Sequence, residues 1–259
     1  MKKPTKVFQT ILILMAVTAL TFTGMYFYNA HLATSQQSQE TASTEPSVSP
    51  TIETTGCDGV ALDTKFTSTD SLLILANKKY KLPEGYVPSD LVDAGIPCTN
   101  GSATMRAAAA EQLQKMYAAA AADGVSLSIS SAYRSEAYQT TLYTKYVGEY
   151  GQSTADTISS RPGYSDHQTG LAADFVEGGA DDLVESFENT ASGKWLAVNA
   201  HLYGFIMRYP KGKSSITGYD YEPWHFRYVG IDTATAIYNT DPNESFEEYF
   251  HVPGGDYCN

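Results

Sequence analysis

The residues best suited to chemistry in this chain fall in two short stretches, SDHQTGLAADF at 165–175 and YEPWHFR at 221–227. His167 and Asp174 stand seven residues apart with Gly170 between them; Glu222 and His225 stand three apart with Pro223 between them. Two imidazoles and one carboxylate, with a fourth position left open, make the donor set of a catalytic zinc site. A separation of seven does not match the i,i+4 geometry of a helix. A turn through Gly170 can instead fold the loop back, so that His167 and Asp174 face one point. Taken alone, the first stretch fits equally well a local cap at Asp174 and an ordinary loop histidine at 167.

The second stretch favours the metal. On a regular strand Glu222 and His225 would point to opposite faces, but Pro223 removes a ladder donor and favours an edge or a bend. Glu222 can therefore lie in the approach to the strand and reach over the metal. A carboxylate there is the standard general base for hydrolysis, taking the proton of a water that the metal has acidified. Its plainer alternative is a surface carboxylate at a turn. The other histidines offer less: His31 lies close to an apolar N-terminal run, His201 sits on a helical stretch as a packed or surface residue, and His251 stands in an acidic tail without a partner at a useful spacing.

The elements that must position these groups are legible around them. Ala103–Ala122 is Ala-rich, lacks Gly and Pro, and predicts a helix stopped at Asp123-Gly124. VSLSISSAY alternates Val125, Leu127 and Ile129 with serines, the period of a half-buried strand. Ser135 can cap a helix running to about Glu149. Ala172–Val176 reads as a strand, GKWLAVNAHLYG as a helix, FIMRYP as a strand and YEPWHFRYVG as another strand, while residues 57–100 read as an irregular arm punctuated by Pro83, Pro88 and Pro97. Helices and short strands mix without regular βα alternation. The expected class is α+β: one domain with a small antiparallel sheet flanked by helices and the zinc site at the sheet.

The chain around this domain predicts its location. Residues 7–28 are apolar and uncharged, follow Lys2, Lys3 and Lys6, and are long enough to span a bilayer. Residues 1–29 are expected to be a cytoplasmic stub and membrane anchor, with a cleaved signal peptide and a secreted product as the alternative. Residues 30–56, rich in Ser, Thr, Gln, Glu and Pro, read as a disordered tether, leaving 57–259 as the domain. All 29 acidic residues follow the apolar run, and the chain's net charge is −12. Such a surface argues against nucleic acid as a partner. The chain is expected to act as a monomer. Cys57, Cys98 and Cys258 allow one disulfide and one free thiol in three pairings, of which Cys57–Cys98 is the expected one; no CxxC is present.

S-x-H-x-x-G-x-A-x-D (Ser165, His167, Gly170, Ala172, Asp174) followed by E-x-W-H (Glu222, Trp224, His225) resembles the zinc D-alanyl-D-alanine carboxypeptidases of the VanY type. SAYRSEAYQ and LPEGYVPSDLV extend the likeness over roughly Leu72 to Gly230. The resemblance implies His167, Asp174 and His225 as zinc ligands, Glu222 as base, and Arg134 as the cation that polarises the scissile carbonyl or binds the peptide. It implies peptidoglycan stem peptides as substrate, cleaved at a C-terminal D-alanine, with D,D-carboxypeptidase activity favoured over the L,D kind and a binding-only module as a further alternative. Gln139, Ser165 and Arg227 are further candidates for substrate contact, Arg227 for a free carboxylate; Ser165 serves equally well as a loop-holding residue. Lysostaphin-like endopeptidases place their last ligand in an H-x-H. Here Pro223 and Arg227 flank His225 at that spacing, which argues against that type.

Overall fold

The computed structural model describes residues 55–180 and 183–258. The apolar run and most of the tether lie outside the described residues, and among those described no helix is long and apolar enough to cross a membrane.

The arm expected at 57–100 carries a short helix, α1 (Thr64–Thr67), and a strand, β1 (Leu91–Asp93), which pairs antiparallel with β2 (Thr104–Arg106). The alanine run therefore becomes helical four residues later than its composition suggests, as α2 (Ala107–Ala122), and Gly124 follows it with φ +76°. Arg106 fastens the arm. Its Nε binds Asp90 at 2.9 Å, and its two terminal nitrogens donate to the carbonyls of Thr69, Asp70 and Ser71.

The central sheet has the order β3-β4-β6-β5, every pair antiparallel: β3 (Leu127–Ser131), β4 (Ala172–Glu177), β5 (Phe205–Met207) and β6 (His225–Tyr228). Between β3 and β4 lie α3 (Glu136–Tyr150), whose first turn is capped by the Ser135 hydroxyl accepting from Tyr138 N–H, and α4 (Gln152–Ile158). α5 (Ala191–Asn199) and a 3₁₀ turn at Ala200–Tyr203 lead into β5. Alternation along β4 sends Ala173 and Phe175 into the main core with Leu113, Met116, Ile129 and Phe226. Phe175 and Phe226 meet edge to face at 5.6 Å. Asp174 is thereby turned to the opposite face of the sheet. The expected α+β class is the observed one.

The C-terminal segment returns across the arm through α6 (Ser214–Thr217), α7 (Ile231–Thr240) and α8 (Phe246–Phe250). Its end is bonded to the arm's beginning, because the disulfide joins Cys57 to Cys258 and leaves Cys98 free. The expected Cys57–Cys98 pairing is thus corrected. Cys98 bridges to β3 at Ile129 in the sheet region instead, with its thiol directed at the Ser130 carbonyl. Closing a loop across a sequence separation of 201 limits the unfolded chain by about 5 kcal/mol on chain-entropy grounds.

Candidate active site

β4 and β6 set the centre of the site through their register, in which Asp174 lies directly opposite His225. On its other side Asp174 is opposite Ser131, where a register shift between Ile129 and Ser131 bends the end of β3. His167 comes from a 3₁₀ turn, Asp166–Thr169, closed by Gly170 in the left-handed region at φ +69°. A Cβ on Gly170 would stand 2.8 Å from Leu91 Cδ2 and 3.1 Å from Arg106 Cγ, so both the turn and the packing require glycine. The loop folds back as the spacing allowed, and the His167 and His225 rings meet edge to face at 4.7 Å. Glu222 precedes β6 in a tight turn whose His225 N–H donates to the Glu222 carbonyl. Pro223 keeps it out of the strand, and its carboxylate reaches 3.4 Å from His225 Nδ1.

His167, Asp174 and His225 are all buried, and one donor atom from each lies within 4.8 Å of the others. Asp174 Oδ1 has no hydrogen bond although it is buried, and His225 Nδ1 stands 3.1 Å from it; Asp174 Oδ2 lies 3.2 Å from His167 Nε2. A buried carboxylate whose two oxygens each face an imidazole nitrogen, one of them without a hydrogen bond, is an arrangement that a divalent cation completes, and the His₂Asp set suits zinc. The remaining ring nitrogens point away. His167 Nδ1 is 2.7 Å from the Ala132 carbonyl, and His225 Nε2 is 3.3 Å from Asp166 Oδ2.

Arg134 lies at the edge of this cluster, its Nη2 2.5 Å from Asp174 Oδ2 and its Nε donating to Ser131 Oγ at 2.7 Å. The site opens into a cavity of about 390 Å³, walled by Leu142, Tyr146 and Tyr150 of α3, by Ser159 and Ser160, and by Tyr209, Tyr219 and Trp224. Among the described residues lining it, Arg134 is the only Lys or Arg. Ser165 is buried on the same cavity wall and makes no capping bond with its side chain.

Burial pushes the Glu222 carboxyl up from its ordinary value, with the His225 contact pulling the other way. Burial alone would also raise Asp174; the charges of His167 and Arg134 override it and hold that carboxyl well below the carboxylate range. His167 is lowered by burial and by Arg134, whereas the contacts of His225 with Asp166, Asp174 and Glu222 outweigh burial and raise it well above its usual value.

Two expected substrate contacts are not at the cavity. Arg227 is fully buried: Nη1 binds Asp166, Nη2 donates to the Leu72 and Ile74 carbonyls, and Nε donates to Tyr228 O. It shares a face of β6 with His225, as expected, but the space beside it is filled by protein. Gln139 is 1 % exposed and donates to Ser159 Oγ and the Ser160 carbonyl, so it shapes the serine wall from behind. Trp224 is half-buried against the core, in line with a packing role. His201 stacks on Tyr238 at 3.8 Å and does not line this cavity, and His251 ends α8. Asp166 was not among the expected site residues, although it stands beside His167 in the sequence.

Residues 102–231 match the family model for VanY, D-alanyl-D-alanine carboxypeptidase. The chain belongs to the VanY family. It is 42% identical over 186 residues to YodJ of Bacillus subtilis (strain 168), a match spanning 70% of this chain and 67% of the relative. Among solved structures, the LD-carboxypeptidase LdcB superposes with a TM-score of 0.66 at 41% identity, covering 72% of this chain and 89% of that one. The D,D-pentapeptidase VanY of a VanB-type vancomycin-resistance cassette, solved as a variant with Zn(II), superposes with a TM-score of 0.58 at 33% identity, covering 68% and 97%. Membership in this family and the His₂Asp cluster together make the chain a zinc-dependent carboxypeptidase of the VanY type.

Proposed function

We propose that this protein removes the C-terminal D-alanine from peptidoglycan stem peptides, with His167, Asp174 and His225 holding zinc. The observation that carries the reading is the convergence of this ligand set, Glu222 and Arg134 on one cavity of about 390 Å³. That volume is in the range that encloses a small ligand rather than a folded partner. When bound, zinc supplies Lewis acidity, polarising the scissile carbonyl and lowering the pKa of a water toward about 7.

The chain's own residues do the rest. Glu222, held over the His225 ring by the Pro223 turn, takes the proton of the attacking water and returns it to the departing D-alanine amine. Its raised proton affinity suits both transfers. Arg134 is tethered by Ser131 and presents a guanidinium edge to the carbonyl oxygen as negative charge develops there; one such donor is commonly worth about 3–4 kcal/mol. The tyrosine and leucine side chains of α3 exclude water along the peptide. The apolar run at 7–28, acting as an anchor with its tether, would hold the domain among wall peptides just outside the membrane.

Two specificities fit this site. Analogy with the D-alanyl-D-alanine carboxypeptidases of the family favours a D,D-carboxypeptidase acting on pentapeptide stems; the greater likeness to LdcB supports an L,D-carboxypeptidase acting on tetrapeptide stems. The test is release of D-alanine from a stem pentapeptide and, separately, from the tetrapeptide, with and without chelation. Chelator-sensitive release from one of them identifies the activity. No release from either by zinc-loaded protein would sink the carboxypeptidase reading and leave a wall-peptide binding module.

A further inference from the structure

We infer that Asp166 is a positioning residue for the zinc ligand His225, held in place by Arg227 of β6, which is itself fixed by carbonyls of the N-terminal arm. His225 turns Nδ1 toward Asp174 and Glu222, and its other nitrogen, Nε2, stands 3.3 Å from Asp166 Oδ2. With the proton on Nε2 and donated to that carboxylate, Nδ1 keeps its lone pair for the metal and the ring plane is fixed. Asp166 has no exposed side-chain surface, and its second oxygen is held by Arg227 Nη1. The remaining guanidinium nitrogens are used as well, Nη2 on the Leu72 and Ile74 carbonyls and Nε on Tyr228 O. A continuous path therefore runs from two arm carbonyls through Arg227 and Asp166 to His225.

The two histidines are oriented differently. His167 is set by a neutral acceptor, the Ala132 carbonyl at 2.7 Å, whereas His225 is set by a carboxylate that a fixed cation keeps in place. A carboxylate acceptor raises the basicity of the ligating nitrogen more than a carbonyl does. A plain structural ion pair would need only the Asp166–Arg227 contact. It would not need the second oxygen to face the ring nitrogen that points away from the metal cluster.

The inference rests on zinc binding at His167, Asp174 and His225, and the experiment separates the two. Zinc affinity of the full chain is measured by competition with a chromophoric chelator, together with the cobalt(II) absorption spectrum and the melting temperature of the metal-free protein. If wild type binds no zinc, the metal reading itself fails. If it binds, Asp166→Asn should lose about 10–100-fold in affinity and shift the cobalt spectrum. Arg227→Lys, which keeps the charge but shortens the reach, should lose affinity in the same direction and by less. Cys57→Ser removes the disulfide without touching Asp166, Arg227 or the Leu72 and Ile74 carbonyls, so it should lower the melting temperature and leave affinity unchanged. Zinc affinity of Asp166→Asn within threefold of wild type, with an unaltered cobalt spectrum, would reduce the pair to an arm fastening and overturn the inference. Should the Asn variant not fold, the same titration of Arg227→Lys decides it, unchanged affinity again overturning it.

Discussion

Replacing Glu222 by Gln isolates proton transfer from every other contribution to the site. Glu222 is not among the three residues whose donor atoms converge, and its carboxylate is 12 % exposed, 3.4 Å from His225 Nδ1. Gln has the same shape, keeps one oxygen toward that ring, and cannot carry a proton from water to the leaving amine. General base catalysis of this kind contributes about 10²- to 10⁴-fold. At 1.36 kcal/mol per factor of ten, that is about 3–5 kcal/mol of barrier. The expected result is therefore kcat lowered by at least about 100-fold, with KM and zinc content near wild type.

The assay is D-alanine release under saturating stem peptide, run beside a zinc determination on the same sample. A raised KM with kcat intact would make Glu222 a substrate contact. Loss of zinc would make it a ligand or a support for His225. If zinc-replete Glu222→Gln retained kcat within tenfold of wild type, the general-base argument would be refuted, because the other two carboxylates that line the cavity beside His225 are engaged elsewhere, Asp174 within the donor cluster and Asp166 on Arg227.

Arg134→Gln should cut kcat/KM by roughly 100-fold or more, since it removes a donor at the carbonyl, while Arg134→Lys recovers only part because Ser131 and Asp174 are met by a fixed guanidinium edge; steady-state kinetics on both variants checks this. Gly170→Ala forces a side chain into the left-handed region against Leu91 and Arg106, and should cost about 1–3 kcal/mol by urea unfolding with loss of zinc affinity as the turn shifts. Cys57→Ser should lower stability by about 2–5 kcal/mol while leaving zinc content unchanged, because the disulfide joins the domain's two ends and not the site. Burial raises the Tyr80 and Tyr257 hydroxyls to about 12, so their protonated forms are favoured by folding. That contribution is complete below the unfolded tyrosine value of about 10 and falls away between pH 10 and 12. Tyr80→Phe should make unfolding midpoints less sensitive to pH in that window, and an unaltered slope would contradict the assignment.

What the sequence discloses and what it hides divide along a physical line. The convergence of His167, Asp174 and His225 was legible because its constraints are local: a glycine that permits a left-handed turn, a proline that stops a strand, and alternation that turns Asp174 away from a core containing Phe175. The start of α2 was misjudged because Thr104–Arg106 has a partner, Leu91–Asp93, that helix propensity cannot see. The disulfide was misassigned for the same reason. Cys57 and Cys98 are nearer to each other in the chain than either is to Cys258, but the C-terminal segment returns across the arm and brings Cys258 to Cys57.

Arg227 and Gln139 show why polar residues near a motif mislead. Each is two or more residues from a recognisable feature, each has donors to offer, and each spends them on backbone and buried side chains. A fully buried arginine must have all its nitrogens satisfied, which makes it a fixed support before it can be a binding group. Once Arg227 is understood as a support, the question becomes what it supports, and the geometry leads through Asp166 to His225 Nε2. The arm is then more than a cover for the sheet: its carbonyls at Leu72 and Ile74 fix the cation that fixes the carboxylate behind a metal ligand. Changes that displace the Leu72 and Ile74 carbonyls should accordingly tune zinc affinity before they alter the shape of the cavity.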